Sequence, residues 1–212
     1  HFHNDNSITA LRDIPGIVVG CPSRGDDAAT MLRTLAALAQ VDGRVAVFLE
    51  PIALYMTKDL HETGDGQWLF PYPEQGQAMV LGEGRVYEPD ADDLVVFTYG
   101  NGVPMSLRAA RRIEQAHGWK VRVVDLRWLV PLNEAFIVEQ ARSAKRILVV
   151  DEGRRSAGVG EGVITAIAEG GYRSRPFRRV VGADTYTPLA GAAFLVIPGD
   201  DDIVAAAAEL AG

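Results

Sequence analysis

One cysteine, Cys21, in 212 residues excludes an internal disulfide framework, so packing alone must hold the core and a reducing compartment suits the chain. Long apolar runs are missing too: none reaches the ~18–20 residues a membrane-crossing helix needs. The opening His-Phe-His-Asn-Asp-Asn-Ser has neither the basic start nor the apolar centre of a secretory signal, and a cytoplasmic protein is expected. Positive charge is scarce, with 21 Lys and Arg against 28 Asp and Glu and a formal net charge of −7. Binding to a phosphate backbone needs clustered cations that displace counterions, so no nucleic-acid partner is expected. The pairs Arg111-Arg112, Arg154-Arg155 and Arg178-Arg179 are spread along the chain and read as solvated surface. What the chain does have is 48% hydrophobic and 23% charged residues, a balance that permits a globular core. It begins without Met, inside a polar segment of functional character, and a piece of a longer chain is expected.

Residues 17–20 form a short apolar run bounded by Pro15-Gly16 and Pro22, which reads as a buried strand with Cys21 at its end. Ser23 is placed to cap a helix over 26–40, where Ala28, Met31, Leu32, Leu35 and Leu38 fall at helical spacing. Residues 45–49 follow as a second apolar strand, so residues 1–51 hold a strand, helix, strand unit of parallel type. Residues 52–92 are rich in Gly and Pro and read as a linker laid over a surface. Its Trp68, Phe70 and Tyr72 are expected to pack, and residues 79–81 and 85–87 are candidate edge strands. From Asp93 strands and helices alternate to the C-terminus. Strands are expected over 94–98, 121–126, 147–150 and 179–181, and helices near 103–117, 133–142, 159–169 and 201–210. Such alternation means βαβ crossovers and a mostly parallel sheet covered on both faces, so residues 93–212 read as a complete small α/β domain.

Candidate chemistry is sparse. His1 and His3 flank Phe2 and point the same way in an extended segment. Metal binding needs three or four ligands, and only Asp5 stands nearby. The residues leave two roles open: proton transfer or hydrogen bonding to a carboxylate, and an ordinary surface imidazole. The Gly158-x-Gly160 stretch lacks the third glycine of a dinucleotide fingerprint, with Val163 in its place, and is better read as tight packing where a strand turns into a helix. There is no Gly-x-Ser-x-Gly elbow, and nothing marks Cys21 as an activated thiolate.

Phe2-His3-Asn4-Asp5-Asn6-Ser7 with Ile14-Pro15-Gly16-Ile17 resembles the His-containing segment of the β subunit of thiamine-diphosphate-dependent 2-oxo acid dehydrogenases. Further stretches fall in that family's order. They are residues 19–23 (Val-Gly-Cys-Pro-Ser), 47–51 (Val-Phe-Leu-Glu-Pro), 96–100 (Val-Phe-Thr-Tyr-Gly), 124–132 (Val-Asp-Leu-Arg-Trp-Leu-Val-Pro-Leu), 150–153 (Val-Asp-Glu-Gly) and 182–185 (Gly-Ala-Asp-Thr). Asn-Asp-Asn stands where the family has Ser-Gln-Ser after the His.

The resemblance implies an α/β protein of the transketolase-like superfamily. Residues 1–51 are then the end of a pyrimidine-binding parallel-sheet domain, 52–92 a linker and 93–212 a transketolase C-terminal-like domain. It implies thiamine diphosphate and magnesium in the full enzyme, at sites mostly outside this chain, so the isolated piece is expected to be inactive. It also implies a structural potassium held by backbone carbonyls about Ala39 to Asp42. His3, and less closely His1, is the side chain that contacts substrate or intermediate. The implied partners are an α-type half or subunit, a second protomer, and a lipoyl-bearing E2 acyltransferase as acyl acceptor. Two rivals are a transketolase-like ketol transferase and a noncatalytic dimerisation or docking module.

Overall fold

The computed structural model describes residues 5–211. A five-residue helix, α1 (Ile8–Arg12), precedes the parallel unit; it is too short to show a periodic pattern and was not expected from the sequence. The unit itself is β1 (Val18–Gly20), α2 (Gly25–Gln40) and β2 (Ala46–Phe48), with Val18 opposite Ala46 and Gly20 opposite Phe48. Met31 and Leu35, one helical turn apart, are the buried apolar residues of α2. A Cβ on Gly20 would lie 2.6 Å from Met31 Sδ, so glycine is what lets helix and strand approach. Ser23 does not cap α2, contrary to expectation. Arg24 occupies that position, and the Ser23 hydroxyl donates instead to Asp125, a fully buried carboxyl that needs a donor more than the solvated helix end does.

Beyond the linker lie β3 (Arg85–Tyr87), β4 (Leu94–Thr98), α3 (Gly102–His117), β5 (Val121–Asp125), β6 (Trp128–Val130), α4 (Glu134–Ala141), β7 (Ile147–Arg154), α5 (Val159–Ile167), β8 (Phe177–Gly182) and α6 (Asp200–Glu209). Five of the strands form a sheet in the order β3-β5-β4-β7-β8. All its pairings are parallel except β3 with β5. Every residue of β4 and β5 is buried, as strands of a sheet covered on both faces are, and with them the polar Thr98, Arg122 and Asp125. One face packs on α3 and α6 through Ala109, Ile113, Ile203 and Ala207. The other packs on α4 and α5 through Ile137, Val159 and Val163, and the same core takes in Ile8, Ile17 and Val19 from the N-terminal unit.

The two sheets are tied together by β6. It runs antiparallel to β1, with Val19 opposite Val130 and Gly20 opposite Trp128, so a strand from within the second α/β pattern completes the first sheet. The turn into it places Arg127 at φ +58°, and the Arg127 carbonyl accepts from the Cys21 amide at 2.7 Å. In the linker Trp68 is buried as expected, but Tyr72 is 79% exposed. Of the two candidate edge strands only 85–87 pairs. Met79 instead bonds to α2, its amide to the Thr30 carbonyl at 3.3 Å and its carbonyl to the Thr34 hydroxyl at 2.5 Å, so that helix flank satisfies both of its backbone groups.

Candidate functional site

In open α/β sheets ligands bind outside the carboxyl ends of the strands, and here the ends of both sheets converge on one cleft of about 390 Å³. Cys21 follows β1, Glu50 follows β2, Tyr99 and Asn101 follow β4, and Ala183 follows β8, while Glu152 and Arg154 belong to the last turns of β7; all line the cleft. Asp5 and Asn6 close one side, ahead of α1.

Asp151, the neighbour of Glu152, is a buried carboxyl group with three donors. The Tyr99 hydroxyl donates to its Oδ1 at 2.5 Å, the Gly153 amide to Oδ1 at 2.7 Å and the Gly160 amide to Oδ2 at 2.8 Å. It thus ties the β4 end and the first turn of α5 to β7. A Cβ on Gly158 would lie 2.7 Å from both Asp151 Oδ2 and the Arg154 carbonyl oxygen, which supports close helix-to-strand packing over a nucleotide loop. Burial pushes the Tyr99 hydroxyl well above its ordinary range, and the Asp151 charge adds to it.

Glu152, next in the chain, accepts from Asn101 Nδ2 at 2.8 Å. Burial drives its carboxyl up to about 7, the Asn101 hydrogen bond opposing and the Asp151 charge reinforcing the shift. A carboxyl poised there can hold or release a proton near neutrality. Burial also lifts the Cys21 thiol well above its usual value, with the charges of Asp125 and Glu152 adding, which disfavours the thiolate.

His1 and His3 lie outside the described residues. The segment that follows them is placed at the cleft. Asp5 Oδ1 accepts from the Ser7 amide at 2.9 Å and Asn6 Oδ1 from the Ile8 amide at 3.1 Å, and Asp5 Oδ2 pairs with Arg154 Nη2. Arg154 is therefore a cleft residue, correcting the expectation that its Arg-Arg pair is only solvated surface. Ala39 and Asp42 sit at the exposed end of α2; two neighbouring carbonyls there are already engaged, Ala37 by the Val41 amide at 2.8 Å and Leu38 by the Arg44 amide at 3.1 Å. Among the described residues no group of three or more His, Cys, Asp or Glu is placed to hold a metal ion.

The cleft is a poor match for a diphosphate. Three carboxyl groups, Asp5, Glu50 and Glu152, line it against one guanidinium, Arg154, and that guanidinium is already paired. The sequence marks Asp151-Glu152 only as part of the family-like stretch 150–153 and does not single out Asn101. The available signal was position: polar residues directly after an unbroken apolar strand of a parallel sheet stand where ligands bind.

Residues 82–198 match the family "Transketolase, C-terminal domain". Over 210 residues the chain is 32% identical to "Pyruvate dehydrogenase E1 component subunit beta" of Staphylococcus aureus, covering 98% of this chain and 60% of the relative. Over 204 residues it is 33% identical to "3-methyl-2-oxobutanoate dehydrogenase subunit beta" of Mycobacterium tuberculosis, covering 95% and 54%. The chain thus spans little more than half the length of these relatives. A solved structure described as "Split gene transketolase, inactive beta4 tetramer" superposes with a TM-score of 0.72 at 20% identity, over 97% of this chain and 60% of that one. At that identity the likeness concerns the fold.

Proposed function

Because this chain belongs to the transketolase C-terminal domain family, we propose that it is the β-type part of a thiamine-diphosphate-dependent 2-oxo acid dehydrogenase. In this reading the complete enzyme decarboxylates a 2-oxo acid and passes the acyl group to a lipoyl-type acceptor. The observation that carries the reading is the similarity, along 98% of the chain, to a pyruvate dehydrogenase β subunit. The position of Asp5 and Asn6 in the cleft wall supports it, since it brings the segment after His3 to the carboxyl ends of the strands.

We assign His3 to contact with substrate or intermediate and His1 a secondary part. In this reading the diphosphate and magnesium are held by an α-type half or subunit, and the acidic lining of the cleft supports this for the diphosphate. A structural potassium is assigned to backbone carbonyls about Ala39 to Asp42. A second protomer and a lipoyl-bearing E2 acyltransferase complete the proposed partners, in the cytoplasm. A ketol transferase acting on sugar phosphates is the weaker reading, because phosphate recognition favours guanidinium and ammonium groups where this cleft has mostly carboxyl groups.

The test is reconstitution. The complete β-type protein, produced with its α-type partner and supplied with thiamine diphosphate and magnesium, is assayed for dye reduction with pyruvate and with 3-methyl-2-oxobutanoate, and for ketol transfer between sugar phosphates. Oxo acid turnover that needs both chains is the expected result. Ketol transfer without oxo acid turnover would overturn the reading.

A further inference from the structure

We infer that Arg154 is a positioning residue for the catalytic segment, acting through Asp5, the residue two positions after His3. This inference rests on the reading of His3 given above and adds to it a device in the C-terminal α/β unit that sets where the N-terminal segment lies.

Asp5, Asn6 and Ser7 belong to no strand or helix. They form two side-chain-closed turns, the Asp5 carboxylate accepting from the Ser7 amide and the Asn6 side chain from the Ile8 amide, with Ser7 at φ +48°. Such turns shape a segment locally without placing it against the rest of the protein. Placement comes from Arg154 at the end of β7, whose Nη2 donates to the second carboxylate oxygen of Asp5. The side chains of the pair are 32% and 11% exposed. The guanidinium is also held from the other side, with Nε donating to the Thr185 carbonyl at 3.2 Å and the Tyr186 ring centroid 5.2 Å away. A side chain fixed at several points has little rotamer freedom left to lose, and its ion pair therefore constrains geometry better than a free surface pair does.

A second arginine secures the far end of the same stretch. Arg12, in the last turn of α1, donates from Nη1 to the Ala157 carbonyl at 2.7 Å and to the Gly158 carbonyl. Helix α1 is thus bracketed by two arginine ties, one to the end of β7 and one to the loop joining β7 and α5. Of the two, the Arg154 tie is the one made to Asp5, two positions after His3 in the sequence. Misplacing a reacting group by about 1 Å costs roughly 100-fold in rate, so the pair acts on turnover through the segment that carries His3.

The experiment is a double-mutant cycle on turnover by the complete, reconstituted enzyme. Arg154→Ala is expected to lower kcat roughly 10- to 100-fold with little change in KM for the oxo acid, and Arg154→Lys to recover part of it. In a His3→Ala background the same Arg154→Ala change should cost no more than about twofold, because a residue that only aims His3 has nothing left to aim. Should Arg154→Ala fail to fold, Asp5→Asn removes the pair from the other side while keeping an oxygen for the Ser7 amide, and the same two-background comparison applies. Equal losses in the two backgrounds, with His3→Ala itself impaired, overturn the inference alone. Full turnover by His3→Ala overturns both the inference and the reading of His3.

Discussion

Asp27 and Arg127 meet fork to fork in the interior, with Arg127 Nε and Nη2 donating to the two carboxylate oxygens at 3.0 and 2.7 Å. Their side chains are 4% and 5% exposed. The pair joins the first turn of α2 to the turn between β5 and β6, and thus fastens one sheet to the other. Arg85, from β3, donates to the same carboxylate at 2.8 and 3.3 Å, with a side chain 31% exposed. Asp27→Asn strands a buried guanidinium and is expected to cost about 3–5 kcal/mol, read as a lower urea midpoint. Arg85→Ala should cost markedly less, because it leaves the buried pair intact and removes a partner that water can replace. Equal losses from the two changes would show that the stabilisation lies in the exposed arm.

The start of α5 gives a sharper steric test. A methyl group at Gly158 would sit 2.7 Å from a carbonyl oxygen of the β7 end and from the Asp151 carboxylate, neither of which can swing aside as a flexible side chain does. Gly158→Ala is expected to destabilise by about 1–3 kcal/mol. Gly25→Ala, at the first position of α2 with no atom within 4 Å of the added Cβ, should be neutral or slightly stabilising. A neutral Gly158→Ala would mean that α5 is free to shift off the sheet.

The pattern of strands and helices was legible because it rests on local periodicity. The apolar run at 94–97, the β-branched Val121, Val123 and Val124 and the helical spacing of Met31 and Leu35 each specify an element by themselves. What long-range pairing decides was not legible. Nothing in Trp128-Leu129-Val130 says that this strand leaves its neighbours to lie beside β1, and nothing in Ser23 says that its hydroxyl serves a carboxyl 102 residues away. The cleft was half legible. The His3 segment was marked by resemblance, but Arg154 looked like half of an ordinary charged pair. Its bond to Asp5 spans 149 residues and leaves no trace in local sequence.

Trp68 is the anchor of the linker. Its ring nitrogen donates to the Ser23 carbonyl at 3.2 Å, its ring meets Phe70 edge-on at 5.3 Å, and Arg24 lies 3.6 Å over the Phe70 ring. Trp68→Phe keeps most of the apolar contact and loses one hydrogen bond, for about 0.5–1.5 kcal/mol. Trp68→Ala removes the anchor altogether, and the loop around it should open before the five-stranded sheet does. Limited proteolysis should then cut first within residues 58–80 and leave the 94–182 region intact. Cleavage spread evenly over the chain would mean that the loop and the sheet unfold as one unit.

The last expectation concerns pH. Burial raises the Glu152 carboxyl from 4.5 to about 7, so the folded chain keeps this proton over a range where the unfolded chain has released it. Stability from the group is therefore full below about pH 4.5 and is lost as pH rises through 7, the reverse of a salt-bridged carboxylate. Asp125, raised mainly by burial from 3.8 to about 6, adds a lower step of the same sign. Glu152→Gln cannot ionise, yet it keeps an oxygen for Asn101 Nδ2. The urea midpoint of the variant should gain on that of the unsubstituted chain as the buffer is taken from about pH 5 to about pH 8, and the gap should stop widening above that range. The Asp125 step should remain in the variant at lower pH. A gap that stays constant over the whole range would mean that Glu152 titrates in the folded chain as it does in the unfolded one, and the cleft would then have no carboxyl poised near neutrality.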